Sequence, residues 1–205
     1  MKDGCDAGCE HATLDASLPI IDEDGAQCWY QHGLLHRDDD LPAYIDVDGD
    51  RSWYQHGQRH RGGDLPAIEF ADGGRQWFRY GERHRDNGPT IEYANGDYEW
   101  FSNNQFHRIG GPASSSLGML SWLVHGQFYR EDGLPVVEHS DGTLEWYSGG
   151  QRHRDDDLPA IWRVSGDHEW YVNGLRHREG GPALIQVRFF EEWWHHGVFQ
   201  SRLAI

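Results

Sequence analysis

Apolar and polar residues alternate along this chain in short runs, and the runs end at glycine-bearing turns. Residues 90–101 show the pattern: TIEYA, then Asn95-Gly96, then DYEWF. Period-two alternation on both sides of Asn-Gly predicts a β-hairpin, because glycine supplies the positive φ that the turn requires. Asp48-Gly49, Asp72-Gly73 and Asp141-Gly142 mark the same turn elsewhere. A second turn follows the tryptophans, at His32-Gly33, His56-Gly57, Tyr80-Gly81, Asn103-Asn104, His125-Gly126, Asn173-Gly174 and His196-Gly197. No stretch of 10–15 residues carries a helical stripe. The predicted class is all-β.

The hairpins recur at a fixed period. Pro42, Pro66, Pro89, Pro112, Pro135, Pro159 and Pro182 are spaced 23 or 24 residues apart, and each closes the same phrase. Its fullest form is WYVNGLRHREGGPA at 170–183; residues 53–67 read WYQHGQRHRGGDLPA. Eight copies align on Trp29, Trp53, Trp77, Trp100, Trp122, Trp146, Trp170 and Trp193. A copy of this length cannot bury a core alone, so the copies must stack on one another. The predicted architecture is an elongated, solenoid-like, single-layer antiparallel sheet of repeated β-hairpins over residues 18–197. A poorly structured or capping tail is expected at 1–17 and a C-terminal cap at 198–205. The repeated tryptophans read as packing between copies. Proline, without an N–H, should begin a strand or cap its edge.

The arrangement resembles the MORN repeat (membrane occupation and recognition nexus). Tyr93, Gly96, Glu99, Trp100 and His107 fill that family's places in one copy, and Glu169, Trp170, Asn173, Gly174 and His177 fill them in another. The chain departs where the family has glycine after the histidine: Arg37, Arg61, Arg85, Arg108, Arg154 and Arg178 stand there, followed by a loop that ends in Pro-Ala or Pro-Thr. The likeness is to a divergent variant, and it covers about residues 18–197. It implies an elongated sheet of hairpins used for binding, and it implies no chemistry.

Charge narrows the partners. The formal net charge is −16, and Lys2 is the single lysine beside seventeen arginines. An acidic balance disfavours direct nucleic-acid binding and docking on anionic lipid, and it favours a basic protein partner. Arginine at a fixed repeat position is expected to grip carboxylates of neighbouring loops in bidentate fashion, with Asp38–Asp40 and Asp155–Asp157 as the obvious partners. Three cysteines make no disulfide framework, no apolar run reaches membrane-spanning length, and the N-terminus has no apolar signal core. A cytoplasmic protein is expected.

Candidate chemistry is thin. His36, His60, His84, His107, His153 and His177 occupy one repeat position, which suits a hydrogen-bonded ladder better than catalysis at one tuned site. Cys5, Cys9 and His11 approach a metal motif but have no second cluster downstream, so no metal and no cofactor are expected. Copy five breaks the pattern: its first strand is SSSLGML (114–120), and Tyr129 replaces histidine before Arg130. Drift in a tolerant copy and a loop that meets a partner both explain it. The last copy stays apolar, with Phe189, Phe190, Trp193 and Trp194, so its end either folds over the stack or forms a homodimer.

The leading expectation is a non-enzymatic acidic scaffold that binds and inhibits another protein, of counter-defence or toxin-immunity type, including mimicry of nucleic acid. The partner would be basic or nucleic-acid-binding, held by Asp38, Asp39, Asp40, Asp64, Asp155, Asp156 and Asp157. The alternative is a small-molecule (nucleotide) trap built from Arg61, Arg85, Arg108, Trp77, Trp100, Tyr129 and Arg130. A hydrolase has no motif behind it.

Overall fold

The structure is a computed structural model that describes residues 18–205; the tail 1–17, with Cys5, Cys9 and His11, lies outside the described residues. Among the described residues there is no α-helix, and no helix is long and apolar enough to cross a membrane. The chain forms two compact units, one ending at Asn104 and one beginning at Gln105.

In the first unit, eight two-residue strands pair in chain order, each antiparallel to the next. They are Ile20–Ile21, Gln27–Cys28, Tyr44–Ile45, Arg51–Ser52, Ile68–Glu69, Arg75–Gln76, Ile91–Glu92 and Tyr98–Glu99. The second unit repeats the ladder with Ser114–Ser116, Met119–Ser121, Val137–His139, Leu144–Glu145, Ile161–Trp162, His168–Glu169, Leu184–Gln186, Phe190–His195 and Val198–Ala204. The fold is an antiparallel sheet of repeated hairpins, as the alternation predicts.

Strands are shorter than the alternating runs, and the turn explains why. Tyr93 N–H donates to Asp97 O at 2.9 Å, and Gly96 N–H donates to Tyr93 O at 2.9 Å. Residues 93–97 are thereby held in the turn, with Gly96 at φ +89°, which leaves only two residues on each side for the ladder. Beyond the second strand the chain leaves the ladder at its tryptophan. Trp77 N–H donates to Thr90 O of the next copy at 2.8 Å, and Trp77 O accepts from His84 N–H at 3.2 Å.

The second turn therefore closes a separate two-stranded hairpin, for example Tyr54–Gln55 with Gln58–Arg59. His56 at φ +49° and Gly57 at φ +78° give the two-residue turn whose twist suits a hairpin. One backbone bond ties several of these hairpins to the one before: Gly57 N–H to Leu35 O, Gly81 N–H to Arg59 O and Gly174 N–H to Arg152 O, all 2.9 Å.

The core is built at the Pro-Ala step and the tryptophan. Ala43, Ala67, Ala113, Ala160 and Ala183 are 0% exposed, so a larger side chain there would have to displace its neighbours. Trp29, Trp53, Trp77, Trp146 and Trp170 are buried. Each removes about 200 Å² from water, a gross gain of about 5 kcal/mol before chain entropy. Trp100 and Trp122 are only partly buried.

The last copy differs. Phe190–His195 runs on without a break at Trp193, carries a register shift between Trp193 and Trp194, and pairs with Val198–Ala204. Arg202, Leu203 and Ala204 lie opposite Glu192, Glu191 and Phe190. The end of the chain thus folds back as the outer strand, exposed along its whole length.

Candidate functional site

Each arginine after the repeat histidine lies flat on the tryptophan of its own copy. The guanidinium carbon is 3.8 Å from the ring centroid for Arg61 on Trp53, Arg85 on Trp77 and Arg130 on Trp122, 3.6 Å for Arg154 on Trp146, and 4.0 Å for Arg178 on Trp170. Its Nη1 donates to the carbonyl of the following proline: Arg61 to Pro66, Arg85 to Pro89, Arg108 to Pro112, Arg130 to Pro135, Arg154 to Pro159 and Arg178 to Pro182. The arginine fastens the loop shut over the tryptophan, which is the physical reason for its period.

The opposite edge of the guanidinium, Nε and Nη2, grips a carboxylate from the preceding loop. Arg61 Nε and Nη2 reach Asp40 Oδ1 and Oδ2 at 2.8 Å each. Arg178 holds Asp157 at 3.0 and 2.8 Å, and Arg85 Nε meets Asp64 at 3.4 Å. The hydrogen bonds from Arg61 and Arg178 hold the Asp40 and Asp157 carboxyls below the usual range. The bidentate loop pairing expected from the arginine spacing is present at Arg61 and Arg178.

Three successive copies have no aspartate in that place: Asn87, Ile109 and Gly133 stand twenty-one residues before Arg108, Arg130 and Arg154. Arg130 is preceded by the shorter loop Ile109-Gly110-Gly111, and its Nε and Nη2 find no acceptor among the described residues; Nη1 alone bonds, to Pro135 O and to Glu138 at 2.5 Å. Arg154 follows a full-length loop in which Gly133 stands where the other loops have Asp40, Asp64 and Asp157. Its one hydrogen bond among the described residues is to Pro159 O, and burial lowers its pKa.

The histidine ladder breaks at the same place. His36 Nδ1 accepts from His56 N–H at 3.1 Å, His153 Nδ1 from Asn173 N–H at 3.1 Å, and His107 Nδ1 from His125 N–H at 3.3 Å. Nε2 faces a carboxylate two residues on, as in His36–Asp38 and His153–Asp155. With Nδ1 accepting, the ring donates from Nε2 to that carboxylate. The rings also stack on the next copy: His36 on His56 at 4.6 Å and His60 on Tyr80 at 4.2 Å. In copy five Tyr129 takes the histidine position and Gly149 stands opposite. Tyr129 therefore has no ring to stack on among the described residues, and it is 55% exposed.

Both departures line one cleft of about 350 Å³, formed by Arg108, Ile109, Gly110, Gly111, Trp122, Val124, Tyr129, Arg130, Glu131, Asp132 and Leu134. Ile109 is 79% exposed at its rim. Volume does not single it out, since clefts of about 460 and 480 Å³ lie by Asp64 and by Asp155–Asp157. Its chemistry does: a guanidinium edge without a carboxylate, beside an aromatic face without a partner.

The structure brings together Arg108, Tyr129 and Arg130 of the ligand set. Arg61, Arg85 and Trp77 sit in paired copies, and Trp77 lies under Arg85. Trp100 is partly buried and carries a contact of its own. Of the acidic set, Asp40, Asp64 and Asp157 hold arginines, and Asp38 and Asp155 hold histidines. Asp39 and Asp156, at φ +61°, make no ion pair among the described residues. Arg154 was read as a repeat arginine but left out of the ligand set; the signal for it was the glycine at 133 in the place of three aspartates. Neither a comparison with protein-family models nor one with curated proteins gives a match for this chain.

Proposed function

We propose that the chain is a non-enzymatic binding protein that holds a small ligand carrying a planar ring and an anionic group, in the class of a mononucleotide, in the copy-five cleft. One observation carries this: Arg130 Nε and Nη2, the edge that in Arg61 and Arg178 grips Asp40 and Asp157, have no acceptor among the described residues, and the exposed ring of Tyr129 lines the same cleft. A phosphate or carboxylate matches that edge in bidentate fashion, and a base stacks on Tyr129. Glu131 and Asp132 on the wall offer acceptors to exocyclic amino groups. The volume lies at the small end of ligand sites. The repeat frame reads as a divergent MORN-like array, a class used as binding scaffolds.

A second reading, the acidic scaffold for a basic protein, is favoured by the ladder turns of copies one and two. Asp22, Glu23, Asp24, Asp46, Asp48 and Asp50 are gathered there, and a Cβ on Gly25 would come within 3.2 Å of Val47. Thermal-shift screening and calorimetry with mononucleotides and aromatic carboxylates separate the two. Saturable binding that Arg130→Ala and Tyr129→Ala each remove supports the cleft. Failure of every such compound to bind, with salt-sensitive capture of a basic protein, supports the scaffold.

A further inference from the structure

The tip of the last hairpin carries a cluster that the ligand cleft does not use. His177, His195 and His196 offer ring nitrogens that all lie within 4.8 Å of one another. His177 and His196 stack at 4.3 Å with 6° between planes, and His195 lies 4.9 Å from His177 and 4.4 Å from His196. The Glu179 carboxylate adjoins them, 3.5 Å from His177 Nε2 and 3.9 Å from His195 Nε2.

This grouping is peculiar to one copy. The ladder pair His177–His196 has counterparts in His36–His56 and His107–His125. The position of His195, the residue before the turn, is Gln31, Gln55, Arg79, Ser102, Val124, Ser148 or Val172 in the other copies. Only here does a third imidazole join the stack, and only here does glutamate follow the repeat His-Arg in the short loop.

We propose that His177, His195, His196 and Glu179 form a binding site for a divalent transition-metal ion of the zinc, cobalt or nickel type, which ties the loop at 177–179 to the last hairpin. Three imidazoles and one carboxylate are a complete tetrahedral donor set for zinc. Bonds of about 2.0 Å at tetrahedral angles put donor atoms about 3.3 Å apart, so the rings must close by about 1.5 Å. His195 and His196 are exposed and can turn out of their stack; His177 is 6% exposed and serves as the fixed ligand. Coordination through Nε2 moves the His177 proton to Nδ1 and gives up the 3.3 Å bond from His196 N–H, the longer kind in the ladder.

The test uses the untagged full chain with Co²⁺ and Zn²⁺ alone. One equivalent of Co²⁺ with the visible absorption of a four-coordinate site, displaced by Zn²⁺, is the expected result. His195→Ala/His196→Ala, at exposed positions, should keep the far-UV spectrum and weaken binding about 10-fold or more. The His196 amide should also lose hydrogen-exchange protection when metal binds. Absence of stoichiometric binding overturns the proposal, as does binding unchanged in His195→Ala/His196→Ala. Loss of binding in Cys5→Ser/Cys9→Ser overturns it too, because the metal then belongs to those thiols.

Discussion

Replacing Gly133 with aspartate should give Arg154 the carboxylate that Arg61 and Arg178 have. Gly133 has φ +63°, close to the +54° of Asp40 and the +55° of Asp157, and a Cβ built on it meets nothing within 4 Å. The backbone is thus already one that aspartate occupies in three other loops. Leaving the left-handed region to a residue with a Cβ has its own cost, so the reference is Gly133→Asn, which shares backbone and size and lacks the charge. The two paired examples have arginine side chains 12% and 20% exposed and aspartate side chains 52% exposed, so solvent screens much of the attraction. A bidentate, partly exposed pair contributes about 0.5–1 kcal/mol. Gly133→Asp should therefore exceed Gly133→Asn by that amount in urea unfolding, or by about 1–4 °C in Tm. The difference should shrink between 0.01 M and 1 M salt, as the screening length falls from about 30 Å to about 3 Å. It should vanish in the Arg154→Gln background. Equal stability of the Asp and Asn variants at low salt would refute the account of the open guanidinium edge.

Asp157→Asn is the mirror experiment: it should cost about 0.5–1 kcal/mol in urea unfolding at low salt and little at high salt. Glu169 is buried and takes bonds from Arg163 at 2.8 Å, Arg176 at 2.6 Å and Tyr171 Oη at 2.9 Å. Burial alone would raise its pKa, but the two arginines and the tyrosine outweigh it and hold the carboxyl below 4.5. Because the folded value lies below the unfolded one, Glu169 stabilises the protein at neutral pH, and that contribution is lost as pH falls below about 4.5 and through the folded value. Glu169→Gln should cost about 2–3 kcal/mol at pH 7 and much less at pH 3, read from urea midpoints at each pH. A cost independent of pH would contradict the network.

Much of the fold was legible because repetition multiplies weak signals. One Asn95-Gly96 is a plausible hairpin turn; the same turn at a constant spacing from a tryptophan and a proline is an architecture. The histidine ladder and the arginine–aspartate grip could be read for the same reason, since a position kept in period must meet its own copy's neighbours. Strand length could not be read. Alternation continues through Tyr93, but the turn bond between Tyr93 and Asp97 takes that residue out of the ladder. Nor could the tryptophan's place between two hairpins be seen, because Trp100 continues the alternation of Tyr98. The candidate site was half visible: Tyr129 announced itself by replacing a histidine. The open edge of Arg130 did not, because its cause is a carboxylate absent from a loop twenty-one residues earlier, and the uncovered ring of Tyr129 depends on Gly149, twenty residues later.

The central claim is that Arg130 offers an anionic, ring-bearing ligand the guanidinium edge that in Arg61 and Arg178 is already taken by Asp40 and Asp157. Two-dimensional NMR of the arginine Nε–H groups, titrated with adenosine monophosphate, tests it directly, with Arg130 assigned from an Arg130→Lys sample. The account predicts a saturable shift of the Arg130 Nε–H, while those of Arg61 and Arg178, bound to Asp40 and Asp157, stay in place. A stationary Arg130 signal, or equal shifts at all three arginines, would contradict it.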